Sequence, residues 1–313
     1  MYRLIRKLLI LLSAAACVAM PATAQERRFT LMDRQLDFLM ENWPGEYDNI
    51  EQLELLAVSY GGARKDNSAD RTYARVARLD APQLGDNVLL IEDYRSNDRT
   101  TAFRKRVYVL SSDETIKAIR VRQFRVPEGT KLGRDTKFQA IAGCDILINR
   151  NGDFYEGTLA DKNCSDDPAD YSMKLSANQY WTKAGMIAAG SWRHMEKARR
   201  FACMIDFPKT AGGRPTVTHH YIKIHDQGGE FSFVHPDGRE MLLFMRNTWS
   251  DGMHRETFVI GVLEDGYSGK TLVYAWGNPG ADRIGVNPVF LRVQCDLDTP
   301  QNVQMQKDLR PDS

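Results

Sequence analysis

Two arginines and a tyrosine alternate along the stretch FRKRVYVL, residues 103–110. Because side chains of an extended strand point alternately to its two faces, Arg104, Arg106 and Tyr108 share one face. A guanidinium group is a rigid fork that binds carboxylates, and a tyrosine ring offers a stacking surface. This face is therefore either a solvated exterior or the lining of a polar pocket for an apolar ligand with carboxylate ends. The alternation is compatible with both.

The strands on either side carry matching charges. If NVLLIEDYR forms a hairpin with FRKRVYVL through the loop RSNDRT, Glu92 lies opposite Arg106 and Tyr94 lies opposite Arg104. Opposite charges on neighbouring strands stabilise a sheet, so the sequence favours this register. A second turn, through SSDE, adds the arginines of IKAIRVRQFR to the same face. We therefore predict a ligand-binding face that consists of Glu92, Tyr94, Arg104, Arg106, Tyr108, Arg120 and Arg122.

Other groups of reactive residues predict neither a metal site nor a catalytic centre. His219 and His225 share a face of THHYIKIH, but along an extended strand they are about 20 Å apart, too far to hold one ion. The acidic stretch DKNCSDDPAD lacks the ligand spacing of a calcium loop and is interpreted as a solvated turn attached by Cys164. The sequence contains no nucleophile elbow, phosphate loop or HExxH motif. No metal or nucleotide cofactor is implied.

The chain opens with a segment that has the build of a secretory signal peptide. MYRLIRKLLILLSAAACVAMPATAQ has a basic start, an apolar run too short to span a bilayer comfortably, and a small-residue ending. Cleavage after Ala24 would remove residues 1–24 and predicts a periplasmic or secreted protein. Lipid attachment at Cys17 is the less favoured alternative. No second long apolar segment follows, so we expect no transmembrane segment after cleavage.

Four cysteines remain beyond the predicted signal peptide. An even number of cysteines in an oxidising compartment predicts two disulfides, for which three connectivities exist. The order of the chain favours Cys144–Cys164 and Cys203–Cys295, because each pair then lies within one of two candidate modules. A zinc site is disfavoured, since no CxxC occurs.

Charge and periodicity indicate a soluble, mainly β protein. The 42 basic and 41 acidic residues balance, which argues against a general binder of nucleic acid or anionic membranes. One helix is predicted near the mature N-terminus, with Thr30 as its cap and Pro44-Gly45 at its end. Short alternating runs separated by turn residues follow, the first at 53–60. They are typical of an antiparallel barrel or sandwich.

The chain divides into four predicted segments. The signal peptide, residues 1–24, precedes a first β module at 25–200. A second, smaller β module at 201–298 is bracketed by Cys203 and Cys295. The polar tail at 299–313 is predicted to be disordered.

The order of these motifs resembles that of the CpcT/CpeT family of phycobiliprotein chromophore lyases, over about residues 30–200. Two of the strands already described carry the resemblance, together with the cysteine-bracketed segment between Cys144 and Cys164. The matching stretches are LDFLMENWPGEYDNIEQ (36–52), NVLLIEDYR (87–95), FRKRVYVL (103–110), AGCDILINRNGDFYEGTLADKNC (142–164) and YSMKLSANQYWTKAGM (171–186).

The resemblance implies a closed antiparallel β-barrel of the calycin or lipocalin type, which here would follow an N-terminal helix and precede the second β module. It also implies a pocket for an open-chain tetrapyrrole, a bilin, lined by Glu92, Arg104, Arg106 and Tyr108. In that pocket the Glu92 carboxylate would hydrogen-bond the pyrrole nitrogens or tune their protonation. Members of the family help to attach the bilin to a cysteine of a phycobiliprotein β-subunit.

Three functions are therefore considered. The favoured one is an exported protein that binds a hydrophobic or tetrapyrrole-like small molecule in the barrel. The alternatives are a bilin lyase, which is the activity expected if the protein is an enzyme, and a non-catalytic interaction protein of the cell envelope. In the last case the second module would dock a protein partner, and a homodimer is one form that the assembly could take. An empty, arginine-lined cavity favours binding, whereas a barrel filled with side chains favours the interaction role.

Overall fold

The structure is a computed structural model that describes most of the chain. It covers residues 30–59, 71–95, 99–127, 129, 132–161, 163–183, 192–208, 216–250, 255–266 and 270–299. The predicted signal peptide and Cys17 lie outside these residues, as does the predicted tail apart from residue 299. Among the described segments, no helix has both the length and the hydrophobicity needed to cross a membrane.

Ten antiparallel strands close into a barrel, which confirms the predicted mainly β fold class. The N-terminal elements are α1 (Leu31–Asn42), β1 (Gly45–Asp48), α2 (Ile50–Ser59), β2 (Thr72–Arg78), β3 (Val88–Arg95), β4 (Arg104–Asp113), β5 (Ala118–Arg125), β6 (Gln139–Ala140), β7 (Ile146–Asn151), β8 (Phe154–Leu159), β9 (Ser172–Leu175), β10 (Gln179–Lys183) and β11 (Arg193–Lys197). Around the barrel the order is β4-β3-β2-β1-β11-β10-β9-β8-β7-β5, and β5 pairs with β4 to close the ring. Strand β6 pairs with β5 as a side branch.

Helix α1 packs against one end of the barrel. It begins at the predicted capping box, in which the Asp33 amide donates to Thr30 Oγ1 and the Thr30 amide donates to Asp33 Oδ2, both at 3.1 Å. Leu36 and Leu39 are buried in the core of the barrel. Ser112, near the end of β4, donates to Asp33 Oδ1 at 3.3 Å. The apolar core therefore continues from the strands into the helix at this end.

Helix α2 replaces a predicted strand at 53–60. Its sequence IEQLELLAVS is rich in Leu, Glu, Gln and Ala, which are strong helix formers, so the strand prediction is wrong. Over so short a stretch, apolar alternation does not distinguish a strand from a helix. Gln52 fixes α2 to the barrel by donating to the Trp192 carbonyl at 2.7 Å and accepting from the His194 amide at 3.0 Å.

Two four-stranded antiparallel sheets form the C-terminal part. Their strands are β12 (Arg200–Phe207), β13 (Thr216–His225), β14 (Gln227–Val234), β15 (Glu240–Ser250), β16 (Arg255–Glu264), β17 (Thr271–Gly277), β18 (Arg283–Val286) and β19 (Arg292–Leu297). The sheet orders are β13-β12-β19-β18 and β14-β15-β16-β17. Residues from both sheets share one buried core, among them Phe201, Leu243 and Val293, so the two sheets form a sandwich. The Cys203–Cys295 disulfide joins β12 to β19 within this core.

Buried polar contacts join the two parts of the molecule. Arg71 binds Asp48 through two hydrogen bonds, from Nε at 3.1 Å and from Nη2 at 3.0 Å. The same Nη2 donates to the Gly228 carbonyl of β14 at 3.1 Å. Arg246 of β15 donates to Glu54 of α2 at 2.6 Å. Since these contacts are directional, they define how the sandwich sits against the barrel.

Candidate ligand-binding site

The face of β4 that carries Arg104, Arg106 and Tyr108 lines the inside of the barrel. Tyr108 is fully buried within the barrel core. The reverse face, with Val107 and Val109, is also buried, in a separate apolar cluster on the outside of the barrel wall. Both faces of β4 are therefore covered, and the arginine face is the inner one.

The predicted register between β3 and β4 is wrong by one residue. Arg104 lies opposite Asp93, and Lys105 lies opposite Glu92. Glu92 therefore belongs to the outer face, where its carboxylate forms an ion pair with Lys105 Nζ at 2.7 Å. Its expected place beside the arginines inside the barrel is taken by Asp93, which forms an ion pair with Arg104 at 3.5 Å.

Three more residues of the predicted binding face also lie outside the barrel. Tyr94 packs against Tyr73, with their ring centroids 5.8 Å apart. Arg120 forms ion pairs with acidic residues at the ends of neighbouring strands, and Arg122 is exposed. These positions correct the prediction, since only Arg104, Arg106 and Tyr108 of the seven residues face inward.

Tyr94 is misplaced by the register error between β3 and β4, whereas for Arg120 and Arg122 the cause is the position of the turn between β4 and β5. Strand β4 continues through Ser111 and Ser112 to Asp113, so the turn begins only at the last residue of SSDE and covers residues 114–117. The pairing then sets Gln123 opposite Tyr108 and Arg125 opposite Arg106. Sequence reasoning missed both side chains on the inner face of β5.

A first carboxylate is held by Arg104 and Gln123. Arg104 Nη2 lies 2.8 Å from Asp167 Oδ1, and Gln123 Nε2 donates to Asp167 Oδ2 at 3.1 Å. Asp167 is almost completely buried, with 7% of its surface exposed. Arg104 Nη2 also donates to the Tyr108 hydroxyl at 3.4 Å. These contacts form a carboxylate-binding site at the mouth of the barrel, opposite the end that α1 covers.

A second carboxylate is held by Arg106 and Arg125. Arg106 Nη2 lies 3.0 Å from Asp166 Oδ2. Arg125 binds the same carboxylate through both oxygens, at 2.7 Å and 3.2 Å. The hydrogen bond from Arg125 is the main reason that the pKa of Asp166 is lowered. The two carboxylates thus come from adjacent residues, and each is bound by one side chain of β4 and one of β5.

The segment that carries these aspartates is attached by the Cys144–Cys164 disulfide. Gln123 Nε2 donates to the Cys144 carbonyl at 2.7 Å, so the disulfide lies directly beside the first carboxylate site. The sequence interpretation of this segment as a solvated turn is therefore wrong for Asp166 and Asp167. The local signal was two consecutive acidic residues beside a cysteine, but nothing local indicates that they reach arginines 60 residues earlier in the chain.

Aromatic side chains fill the barrel below the arginines. Tyr108, Tyr171, Tyr180 and Trp43 are all exposed by 2% or less. The Arg104 guanidinium lies over the ring of Tyr171, 5.7 Å from its centroid. Burial raises the pKa of Tyr108 and of Tyr171, so both hydroxyls stay protonated. The interior thus changes from charged at the mouth, through aromatic, to aliphatic at the end near α1.

Asp93 is the acidic group best suited to proton transfer in this interior. Burial raises its pKa, although the charge of Arg104 opposes the shift. A buried carboxyl with a raised pKa carries a proton at higher pH than an exposed one does. It can therefore donate a hydrogen bond or a proton to a group held beside the arginines.

The histidines that sequence analysis considered as metal ligands take part in other contacts. His219 lies edge-on to Phe231, with ring centroids 5.5 Å apart. His225 Nε2 accepts a hydrogen bond from Arg99 Nη1 at 2.6 Å. In the part of the chain that the structure describes, no three metal-ligating side chains come close enough together to hold an ion.

Comparisons with known proteins found similarity among solved structures. No protein-family model matches the sequence, and no curated protein matches it. One similar structure is the T-type phycobiliprotein lyase CpeT from Prochlorococcus phage P-HM1, with 16% identity, 52% of this chain and 96% of that chain covered, and a TM-score of 0.34. Another is the CRL protein of Arabidopsis, with 13% identity, 54% of this chain and 100% of that chain covered, and a TM-score of 0.38. Both likenesses concern the fold.

Proposed function

We propose that the barrel binds an amphipathic organic ligand with carboxylate ends. The observation that carries this proposal is the inward direction of Arg104 and Arg106, whose side chains are only 18% and 13% exposed and which both bind carboxylates. Charged side chains are seldom buried to this extent unless they are paired. The aromatic rings directly beneath them fill the barrel, so the ligand would lie at the mouth, with its apolar body against these rings.

An open-chain tetrapyrrole has the chemistry that this interior favours. It combines a long conjugated body with two propionate groups, which match the aromatic interior and the two arginine sites. The role that sequence analysis assigned to Glu92, a hydrogen bond to the pyrrole nitrogens, passes to Asp93 because Asp93 faces inward. The motif resemblance and the signal-peptide-like N-terminus support an exported protein that carries such a compound.

The test is a titration of the purified protein with biliverdin and with its dimethyl ester, followed by visible absorbance and tryptophan fluorescence. We expect wild type to prefer the free acid, because only the acid has charges for Arg106 to bind. Arg106→Ala should reduce the acid-to-ester preference about tenfold, the effect of one charge-assisted hydrogen bond. Both forms of the ligand must enter through the same mouth. The energetic cost of entry is therefore common to both affinities and drops out of their ratio.

Arg122→Ala is the matched control, since Arg122 is exposed on the outer face of the neighbouring strand. It should leave both affinities unchanged. A wild-type protein that takes up neither form of biliverdin would exclude a bilin ligand. A preference that falls equally in both variants would exclude the mouth of the barrel as its site.

A bilin lyase activity is the second candidate, and Asp93 is the observation that favours it. Addition of a thiol across a carbon–carbon double bond of a bilin forms a C–S bond and places the thiol's proton equivalent on carbon. The raised pKa of Asp93 suits it to supply that proton and to be reprotonated by the thiol. The assay is attachment of biliverdin-derived bilins to a cysteine peptide, and Asp93→Asn should abolish it while binding persists.

An interaction role in the cell envelope is the third candidate. It is favoured by the barrel interior, which side chains fill, and by Tyr274 and Trp276 on β17, the edge strand of its sheet, which are 63% and 53% exposed. Large aromatic side chains at a sheet edge are typical of contact surfaces. Sedimentation of wild type and of Tyr274→Ser/Trp276→Ser tests for a homodimer. A concentration-dependent dimer that the double variant loses would support this role.

A further inference from the structure

We propose that Asp166 and Asp167 are built-in substitutes for two ligand carboxylates, so that the protein closes its own mouth and a dicarboxylate ligand opens it by exchange. This inference rests on the proposed ligand-binding function and names the class of ligand and the means of regulation. It follows from the geometry of the two carboxylate sites, the balance of charge in the mouth and the way the acidic segment is attached.

The two carboxylate sites are alike in construction. Arg104 and Gln123 bind one carboxylate, and Arg106 and Arg125 bind the other. Arg104 and Arg106 are two residues apart on one strand face, which separates their positions by about 6–7 Å. A compound with two flexible carboxylate arms on one apolar body can occupy both sites together. A monocarboxylate can replace only one of the two aspartates.

Exchange leaves the charge of the mouth unchanged. Four guanidinium groups, including that of the buried Arg193 on β11, act on three carboxylates there, those of Asp93, Asp166 and Asp167. Removal of the two loop carboxylates alone would leave buried arginines unpaired, which is strongly unfavourable. A ligand that brings two carboxylates replaces both negative charges, whereas an uncharged ligand of the same shape does not. The mouth therefore selects for a dicarboxylate.

The aspartates and the arginines differ in how they are held. The arginines project from β4 and β5 in the wall of the barrel. The aspartates lie between β8 and β9 in a segment without regular structure, held near its start by the Cys144–Cys164 disulfide. The Asp167 amide donates to a sulfur atom, Cys164 Sγ, at 3.3 Å. Segments outside the hydrogen-bonded ladders of a sheet open more readily than strands do.

The first test compares biliverdin binding to wild type and to Asp166→Asn/Asp167→Asn. Asparagine keeps the shape of aspartate but competes poorly for guanidinium groups. The apparent affinity of wild type is its intrinsic affinity multiplied by the fraction of molecules with an open mouth. The variant lacks the competing closed state, so it should bind about tenfold more tightly or better. Asp170→Asn is the matched control, because Asp170 lies in the same segment but pairs with Lys183. Its affinity should equal that of wild type.

The second measurement is hydrogen exchange in wild type with and without biliverdin. If the ligand displaces Asp166 and Asp167, the amides of residues 163–170 should exchange hydrogen faster when it binds. A bound ligand usually has the opposite effect. Slower or unchanged exchange in this segment would overturn the inference. If the double variant does not fold, Asp166→Asn alone serves, since its amide oxygen can still accept from Arg106 and its other partner, Arg125, is 47% exposed.

The outcomes separate this inference from the function on which it rests. Wild type that binds biliverdin as tightly as the double variant does would refute self-closure and leave the ligand-binding function intact. Absence of binding by both proteins would refute the ligand-binding function and self-closure with it. Tighter binding by the variant together with faster exchange in wild type would support both.

Discussion

Arg104 is the residue on which most of the polar contacts at the barrel mouth depend. It binds Asp93 and Asp167, donates to Tyr108, and lies over the ring of Tyr171. Asp93 and Asp167 are each 7% exposed, so their charges depend on this guanidinium rather than on water. A single side chain of β4 therefore links β3 and the acidic segment, and its loss would leave two buried carboxylates without their main partner.

We predict that Arg104→Ala destabilises the protein by about 3–5 kcal/mol, the range for removal of one partner from a buried ion pair. The measurement is urea unfolding followed by circular dichroism. Arg122→Ala removes an arginine of the adjacent strand that is exposed on the outer face, and should change stability by less than about 0.5 kcal/mol. Equal and small effects of the two substitutions would show that the Arg104 contacts contribute little.

At the scale of elements, the hairpin of β3 and β4 illustrates how charge matching can support a wrong register. Glu92 and Asp93 are consecutive, and Lys105 lies between the two arginines of β4. A shift of one residue therefore still pairs opposite charges, Glu92 with Lys105 and Asp93 with Arg104. Residues 88–91 (VLLI) are all apolar, so both faces of β3 are apolar in either register. Neither charge nor hydrophobicity distinguishes the two registers.

The segment between β8 and β9 depends on its disulfide. Cys144→Ser/Cys164→Ser should lower the free energy of unfolding by about 3 kcal/mol, the value expected for a cross-link that closes a loop of this length. It should also speed hydrogen exchange at residues 163–170, because Asp166 and Asp167 lose their anchor. Cys203→Ser/Cys295→Ser is the control, since that disulfide lies in the other core. The prediction fails if both variants leave exchange in the segment at the wild-type rate.

At the scale of the whole molecule, His225 lies where the sandwich meets the barrel. It is 7% exposed, accepts a hydrogen bond from Arg99, and has its ring centroid 6.0 Å from that of Tyr73. Burial is the main cause that lowers its pKa to about 3, and the charges of Arg99 and Arg71 add to the shift. A proton on this ring would place a third positive charge beside two arginines.

We therefore predict that acid weakens the protein through His225. Its pKa is about 3 in the folded state and about 6.5 when unfolded, so the unfolded chain binds more protons between these values and stability falls as pH falls from 6.5 to 3. Between pH 7 and 4.5 the contribution is about 2–3 kcal/mol. His225→Gln keeps an acceptor for Arg99 but cannot ionise, so its urea midpoint should depend less on pH. His219→Gln is the control, and parallel curves for wild type and His225→Gln would contradict the prediction.

Sequence patterns alone determined the mainly β class, the capped helix α1 and the common face of Arg104, Arg106 and Tyr108. These follow from short-range rules, since a capping box spans four residues and strand alternation repeats every two. The order of the cysteines also favoured the two pairs that are joined in the structure, Cys144–Cys164 and Cys203–Cys295. Helix α2 is the exception among the local elements, because its apolar spacing fits either a strand or a helix.

Only the tertiary structure decided which face of β4 lies inside and which residues meet it there. Val107 and Val109 belong to the apolar cluster outside the barrel wall, and the arginine face points to the barrel core. Which face lies inside therefore depends on how the whole sheet curves. Asp166 and Asp167 reach the arginines from about 60 residues further along the chain. Such long-range contacts depend on the closed barrel and its disulfide, and no local pattern encodes the distance between two segments that the fold brings together.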